Sequence, residues 1–297
     1  ESDAIVASAD GTKKYRFILD DGAAIESVWI PGEGEAGRNT VCISTQAGCA
    51  MGCDFCHTAQ MKLIRNLRPA EIVNQVLAVQ SDNPQEKVTH IVLMGMGEPL
   101  HNYNPVISAL RNLVDPYGLN FSHRKITLST VGLIPELERL GRDLPVNLAI
   151  SLHAANDSLR SQLVPINKKY PLAELIRACH EFPVIGRKRI TFEYVQLPGV
   201  NDGKEDAKAL ADLVRGLPCK INLIPFNIFP GSHYREPTPA EVSCFADQLR
   251  HCGLHVLVRI PRGRDAMAAC GQLAAPSIRK KRSSSRQVVS LGGPGGV

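Results

Sequence analysis

The sequence of 297 residues predicts an α/β protein, built as a curved, partly open barrel of six βα units. Two observations predict this class: short β-branched runs alternate with periodic apolar stretches, and polar clusters follow the predicted strands. A doubly wound open sheet is the alternative that the alternation leaves open. The strands are expected at residues 40–46, 89–94, 125–129, 146–152, 189–197, 220–226 and 255–260, and the helices at 69–79, 105–113, 134–140, 171–182, 205–217 and 239–252.

Residues 1–39 are predicted to form a small β-hairpin extension ahead of the barrel. Strands over 14–19 and 24–30 flank the turn Asp20-Asp21-Gly22, a pattern typical of a hairpin. The barrel core is expected to occupy residues 40–275. Residues 276–297 are rich in Ser, Gly and basic side chains, and we expect a disordered tail there because little apolar surface offsets the cost of ordering.

Composition excludes several classes of protein. A hydrophobic content of 44% supports a sizeable core, and no apolar run approaches the ~18 residues of a membrane-spanning helix. The first residues lack the basic and apolar regions of a signal peptide. Nine cysteines, an odd and uneven set, suit a reducing compartment, so the sequence predicts a cytoplasmic protein without membrane contact.

The net charge of +5 is concentrated in the tail. Five basic residues and no acid lie between 279 and 286, and without them the 34 basic residues fall to 29, equal to the 29 acidic ones. A nucleic-acid surface on the body would therefore be a local patch, and an ordinary solvated face is the equal alternative. The candidates are Arg65, Arg68, Arg124, Lys125, Arg187, Lys188 and Arg189.

Three cysteines, Cys49, Cys53 and Cys56, follow the first barrel strand with the spacing CxxxCxxC. Thiolates this close together can each bind one iron of a 4Fe–4S cluster, and with no fourth ligand in the loop one iron stays open to a small molecule. A structural zinc site is the alternative, with His57 or a distant cysteine as fourth ligand. A further alternative is that the three thiols are buried or redox-inert and share this spacing by coincidence.

Further polar clusters follow the other strands, where parallel α/β proteins place their chemistry. Gly97 allows close backbone approach to a ligand, and Glu98 can accept from an ammonium group. Taken alone, Gly97 and Glu98 are typical of a glycine-rich turn with an exposed Glu. A lone histidine such as His153 could equally be a buried core residue. Because the clusters share one rim, we expect a binding site there. The other members are Ser129, Ser151, Leu152 and Asn227.

Two further cysteines are candidates for chemistry. Cys42 lies in the strand that leads to the cysteine loop, and Cys270 follows the last strand among small residues that leave its sulfur accessible. Free cysteine is among the most buried residue types, so the remaining ones are expected to pack in the core. These are Cys179, Cys219, Cys244 and Cys252.

Taken together, the motifs resemble the bacterial radical S-adenosylmethionine (SAM) enzymes that methylate carbon 2 of adenine in RNA, over residues 10–274. The resemblance implies a partial (βα)6 barrel of the radical-SAM type, and methylation of 23S ribosomal RNA and also of tRNA at the base 3′ of the anticodon. The motifs are CxxxCxxC with Phe55 before its last cysteine and Thr58-Ala59 after it, Gly97-Glu98-Pro99, Ser151-Leu152-His153, Val164-Pro165-Ile166-Asn167, Phe192-Glu193-Tyr194, Asn222 to Asn227, and Ala268 to Leu273.

The same resemblance implies the cofactors and the catalytic roles. A 4Fe–4S cluster on Cys49, Cys53 and Cys56 would bind one of two SAM molecules used per turnover. The other SAM would methylate Cys270, and a radical would then join that methyl carbon to the RNA base. Cys42 would attack Cys270 and release the product as a disulfide forms.

Glu26 matches the proton acceptor of that family, although its pattern alone favours an ordinary exposed strand Glu. The SAM site would comprise Glu98 at the amino group, with Gly97, Ser129, Ser151, Leu152, His153 and Asn227 around the rest. A monomer is expected, with an electron donor such as flavodoxin. The family carries an additional helical N-terminal domain, and this sequence begins after it. Either a truncated chain or weakened RNA capture is expected from this difference, which concerns RNA docking rather than chemistry.

Two other functions stay open at this point. The first is methylation of adenine at carbon 8, which uses the same cysteines. The second is a zinc or redox RNA-binding module without enzymatic activity, which would leave Cys270 and the polar rim unexplained.

Overall fold

The computed structural model describes residues 2–32, 37–184 and 189–275. Within these ranges the chain forms twelve strands and eight α-helices. The strands are β1 Ala4–Ala7, β2 Lys13–Ile18, β3 Ala24–Ile30, β4 Thr40–Cys42, β5 Gln46–Ala47, β6 Arg65–Asn66, β7 His90–Leu93, β8 Ile126–Thr130, β9 Asn147–Ser151, β10 Ile190–Gln196, β11 Cys219–Pro225 and β12 Val256–Val258. The helices are α1 His57–Gln60, α2 Pro69–Asp82, α3 Tyr103–Val114, α4 Ile134–Asp143, α5 Asp157–Leu163, α6 Leu172–Glu181, α7 Lys204–Leu213 and α8 Pro239–His251.

The main sheet follows the chain in order, β1-β2-β3-β4-β7-β8-β9-β10-β11-β12. From β4 to β12 every neighbouring pair is parallel. Right-handed crossovers in an unreversed order put all the connecting helices on one face, which is the arrangement of a barrel and not of a doubly wound sheet. The predicted barrel-type class is therefore confirmed, and the sheet is open between β1 and β12.

Alternation along the parallel strands separates a helix-facing layer from a cavity-facing layer. On β10, Ile190, Phe192 and Tyr194 are buried in the hydrophobic core, whereas Thr191 and Glu193 face a cavity on the other side. The same period of two recurs on β11 and β12, because successive side chains of a strand point to opposite faces. The inner face of the sheet is thus polar while the outer face is packed under the helices.

The N-terminal extension continues the same sheet. Strands β2 and β3 form the predicted hairpin, and β3 pairs antiparallel with β4 through Val28 and Cys42. A strand at Ala4–Ala7, which the sequence analysis missed, pairs with β2 at the edge. The expected disordered tail, residues 276–297, lies outside the described residues.

Helix boundaries follow the predicted ones closely, with Pro at the first position of α2 and α8 as expected for helix starts. Helix α5 was not predicted, because its seven residues carry only Leu159 and Leu163 as apolar members. In the described part of the chain, we find no helix that combines the length and apolarity needed to cross a membrane.

A buried glutamine on α2 joins the helix layer to the strand that leads into the cysteine loop. The side chain of Gln75 is 2% exposed, and its oxygen accepts from Ser44 N (2.8 Å) and from Ser27 Oγ (2.6 Å). Its nitrogen donates to Ser44 O (2.9 Å) and Glu71 O (3.0 Å). One side chain therefore satisfies both backbone groups of Ser44, where β4 has ended.

Gln75→Leu is expected to lower the free energy of unfolding by about 2–4 kcal/mol, since each buried group left unpaired costs ~1–3 kcal/mol. Urea unfolding of the apoprotein measures this, with Gln60→Leu on the exposed face of α1 as the control. Equal unfolding midpoints for the two variants would contradict this role for Gln75.

Candidate functional site

The cysteine loop follows β5 at the carboxyl end of the sheet. Its glycines set its shape: Gly48 has a φ of 75°, and a Cβ there would lie 1.7 Å from Lys62 O. The loop is tied down where Asp54 N donates to Leu163 O (3.1 Å) and Cys56 N donates to Cys53 O (3.2 Å). Only glycine fits at position 48 without moving the neighbouring backbone.

Three thiols of this loop, those of Cys49, Cys53 and Cys56, line one cavity of about 160 Å³. Burial raises the pKa of the Cys49 thiol to about 12 and also raises the pKa of Cys53 and of Cys56. The mutual proximity of the thiols adds to the effect. Thiolates in this cavity therefore require a bound cation, and a cluster whose irons bind them supplies that charge.

No group of three or more His, Cys, Asp or Glu side chains converges tightly enough to hold a single metal ion within the described ranges. A 4Fe–4S cube does not require such convergence, because each thiolate binds a different iron. The residues present thus fit a cluster, because three partly buried cysteines of one loop line a common space.

Glu98 closes the cavity at the end of β7. Its side chain is 3% exposed and accepts from Leu100 N and Val131 N, both at 2.9 Å. Burial nevertheless raises the pKa of Glu98 to about 7. An ammonium group of a bound ligand would stabilise the ionised form of this carboxyl group. Gly97, with a φ of 99°, lets the backbone pass close to Gln46 beside it.

His153 follows β9 in a strained backbone conformation, with a φ of 62°. Its Nδ1 accepts from Val195 N (3.0 Å), its carbonyl accepts from Asn201 Nδ2 (2.8 Å), and its ring meets Phe55 edge-on at 4.5 Å. Burial lowers the pKa of His153 to about 3, so the ring is neutral and carries its proton on Nε2. The sequence-based reading as a core histidine is therefore incomplete, because the ring also lines the cavity.

The remaining predicted SAM-site residues divide into three groups. Ser129 and Ser151 line the cavity, and their hydroxyl oxygens lie 3.5 Å apart. The side chain of Leu152 is fully buried, and its backbone N donates to Glu193 O (3.0 Å), so it supports the site from the core. Asn227 lines a second cavity and donates from Nδ2 to the carbonyl of Cys270 (3.4 Å).

The second cavity, of about 360 Å³, brings Cys42 and Cys270 together on one lining. Cys270 also lines the first cavity, so this residue lies at the junction of the two. Burial, and then the neighbouring Cys270, raise the pKa of Cys42 to about 12, while Arg259 opposes that shift. The guanidinium of Arg259, which sequence reasoning overlooked, is the cation beside both thiols.

Glu26 is buried, with 4% exposure, so the expectation of an ordinary exposed strand Glu is wrong. Its carboxylate accepts from Ala274 N (3.0 Å) and pairs with Lys14 Nζ (3.3 Å). Glu26 is absent from the described residues that line either cavity. The structure therefore joins Glu26 to the segment that follows Cys270, without placing it on the cavity wall.

Arg160, on α5, is a second residue that the sequence did not reveal, since an arginine in a short polar helix usually faces solvent. It is 1% exposed, and all four of its acceptors are carbonyl oxygens. Nε donates to Leu152 O (3.0 Å), Nη1 to Asn167 Oδ1 (2.8 Å), and Nη2 to Val131 O (2.8 Å) and Ser151 O (3.1 Å). Arg160 thus ties the ends of β8 and β9 together, and its charge acts on Cys53.

Comparison with known proteins gives concordant matches. The model of the radical SAM superfamily matches residues 43–214. The dual-specificity RNA methyltransferases RlmN of Pelobacter propionicus and Geobacter sulfurreducens are each 54% identical to this chain, over 92% and 91% of it and 77% and 74% of their own lengths. The crystal structure of a radical SAM methyltransferase from Sphaerobacter thermophilus superposes with a TM-score of 0.87 at 45% identity, covering 92% of this chain and 80% of that one.

A parallel open barrel with three cysteine thiols at its carboxyl edge is, with these matches, a radical SAM enzyme that uses a 4Fe–4S cluster and SAM. This excludes the zinc-binding module without enzymatic activity. Within that class, the chain belongs to the RlmN family of dual-specificity RNA methyltransferases.

The pH dependence of SAM binding tests Glu98. The ammonium of SAM requires the carboxylate, so a pKa of about 7 predicts affinity roughly fivefold lower at pH 6 than at pH 7.5, after allowance for the partial loss of the ammonium proton at pH 7.5. Calorimetry with cluster-loaded protein measures the affinity at both values. Glu98→Gln should bind SAM more weakly and lose this difference, and a difference that survives in Glu98→Gln would contradict the assignment.

Proposed function

We propose that the enzyme methylates carbon 2 of adenine in 23S ribosomal RNA and in tRNA at the base 3′ of the anticodon, through a methyl group carried on Cys270. The observation that carries this proposal is the position of Cys270 at the junction of the two cavities, with Cys42 on the second lining. The RlmN relatives favour carbon 2 over the carbon-8 alternative.

Cys49, Cys53 and Cys56 would hold the cluster, and Glu98 would bind the amino group of SAM. With SAM bound, the cluster supplies a 5′-deoxyadenosyl radical, which can remove a hydrogen atom from an unactivated methyl group. The neutral ring of His153 presents an Nε2–H donor to the same space. The hydroxyls of Ser129 and Ser151 add donors and acceptors for the ribose or carboxylate of SAM.

Carbon 2 of adenine is electron-poor and has no lone pair, so it cannot displace a methyl group from sulfonium. Cys270 can, because a thiolate is a good nucleophile. The guanidinium of Arg259 interacts electrostatically with Cys270. Loss of one hydrogen atom from the Cys270 methyl leaves a carbon radical that adds to the ring. Protein and RNA are then joined through one methylene group.

Release of the product requires a proton acceptor and a second thiol. Glu26 would accept the proton from carbon 2, and the unpaired electron of the adduct would leave to a one-electron acceptor such as the oxidised cluster. The hydrogen bond from Ala274 N couples Glu26 to the segment that carries Cys270. Cys42 would attack the sulfur of Cys270, forming a disulfide as the methylated base leaves and takes up a proton. A reductant then restores the two thiols, and an electron donor such as flavodoxin serves the cluster.

Replacing any one of Cys49, Cys53 and Cys56 by Ala should abolish iron binding after anaerobic reconstitution, because two thiolates cannot hold the cluster. Iron analysis and absorbance near ~400 nm measure this, since thiolate-bound iron–sulfur clusters are coloured whereas zinc is not. The expectation that Cys244 and Cys252 pack in the core is wrong, since both are exposed. Cys244→Ala on α8 is therefore the control and should keep its iron. Stoichiometric zinc without iron in the anaerobic protein would refute the assignment.

The Cys270 and Cys42 variants should fail in different ways. Cys270→Ala removes the methyl acceptor, so no RNA adduct forms, whereas Cys42→Ala lacks only the resolving thiol and should accumulate a covalent protein–RNA species. Denaturing gels of protein co-expressed with cellular RNA, with and without ribonuclease, separate these outcomes. An adduct in Cys270→Ala, or full turnover in Cys42→Ala, would show that the thiols have other roles.

A further inference from the structure

The second cavity has its own set of polar side chains, which the methyl-transfer chemistry does not use. Its volume of about 360 Å³ falls within the ~300–1,000 Å³ of small-molecule sites. It lies against the inner face of β8, β10, β11 and β12, and both proposed thiols are on its wall. A base whose carbon 2 reacts at Cys270 must therefore lie beside this lining.

Glu193 provides the carboxylate of this lining among the described residues. It is 4% exposed, and its Oε2 accepts from Asn222 Nδ2 at 2.6 Å, which fixes the plane of the group. That hydrogen bond occupies one oxygen and leaves lone pairs of Oε1 for a ligand. Glu193 also lines the first cavity, as Cys270 does, so both stand in the wall between the two spaces.

Cations surround this carboxylate. Arg38, Lys220 and Arg259 all line the second cavity, and they outnumber its acid. Arg259 pairs electrostatically with Glu193 and with the thiols, and Lys220 also acts on Glu193. Lys220 is half-buried and lies at the amino end of β11, and Arg38 is exposed and lies just before β4. An anionic group on the ligand is therefore favoured at that end of the cavity.

Apolar side chains complete the lining. Leu257 is 45% exposed and Ile260 is 78% exposed, and both border the second cavity. An enclosed acceptor, a cationic end and an apolar border together match a nucleotide extruded from its stack, whose base edge, phosphate and ring face each need one of these features.

We propose that the second cavity receives the target adenosine, and that Glu193 selects adenine by accepting a hydrogen bond from its exocyclic amino group, with Lys220 pairing with an RNA phosphate. This inference rests on the proposed function, since it takes RNA as the substrate. The amino group of adenine is on carbon 6, and a single ring nitrogen separates carbon 6 from carbon 2. The residue that reads the amino group must therefore lie near Cys270, as Glu193 does.

Inosine is the discriminating probe, because its base keeps the hydrogen on carbon 2 and replaces the amino donor by an oxo acceptor. A carboxylate accepts from the amino group and repels the oxo group, whereas a glutamine amide can satisfy either. Glu193→Gln keeps the shape of the side chain and its oxygen for Asn222, so it is expected to fold.

The experiment measures binding without turnover, with cluster-loaded protein, no SAM, and tRNA anticodon stem-loop hairpins that carry adenosine, purine riboside or inosine 3′ of the anticodon. The parent protein should bind the adenosine hairpin about tenfold more tightly than the inosine hairpin, with purine riboside between them. Glu193→Gln should bring the two affinities within about twofold. Glu174→Gln, on the exposed side of α6, should keep the parental ratio.

Lys220 is tested with the same hairpins. Lys220→Ala should lower the affinity for all three hairpins by the same factor, and it should lower the slope of log affinity against log salt by about one. Lys204→Ala, at an exposed position, should change neither the affinity nor the slope. A parental adenosine-to-inosine ratio near one, a ratio unchanged by Glu193→Gln, or equal effects of the two lysine variants would overturn the proposal. If RNA methylation fails while the adenosine preference is present, the proposed chemistry is wrong and this site stands.

Discussion

The constraint on which the rest of the site depends is the placement of three cysteine thiols in one cavity, where desolvation disfavours their ionised form. Burial raises the pKa of Cys49, Cys53 and Cys56. A metal cluster therefore has to supply positive charge before the loop reaches its working state. Among the described residues, the buried guanidinium of Arg160 acts on Cys53, and carbonyl oxygens rather than a carboxylate accept its hydrogen bonds.

The order of the sheet follows from the same constraint. Because the strands from β4 to β12 are parallel and sequential, every one of them ends at the edge where the cysteine loop lies. Strand ends deliver Glu98, Ser129, Ser151 and His153 to one cavity. The inner faces of the same strands line the second cavity, and Cys270 stands between the two. A single carbon can therefore be loaded on one side and transferred on the other.

The sequence predicted what local patterns control. The spacing CxxxCxxC marked the cluster loop, and the alternation of strands and helices marked the sheet, because hydrophobic periodicity and turn chemistry are local signals. The exposure of Glu26 was predicted wrongly because local sequence does not show which distant segment packs over a strand residue. Here that segment contains Ala274, whose backbone N donates to the Glu26 carboxylate.

The polar inner face was visible in principle. Thr191 and Glu193 alternate with buried Ile190, Phe192 and Tyr194, and Lys220 and Asn222 alternate with Ile221 and Leu223. This period of two indicates that the parallel strands face something polar on one side, whereas strands buried on both faces are apolar throughout. Arg160 and Arg259 could not be recognised in this way, since only the tertiary structure shows that their surroundings are buried.

The central claim is that the methyl group travels through Cys270 and loses one hydrogen atom on the way. SAM carrying a fully deuterated methyl group tests it most directly, with mass spectrometry of the methylated adenosine after repeated turnover. Transfer through a methylene bridge predicts that the new methyl group keeps two of the three deuterium atoms, because one is abstracted and a proton completes the group. A methyl group that keeps all three would show direct transfer from SAM to the base and would contradict the account.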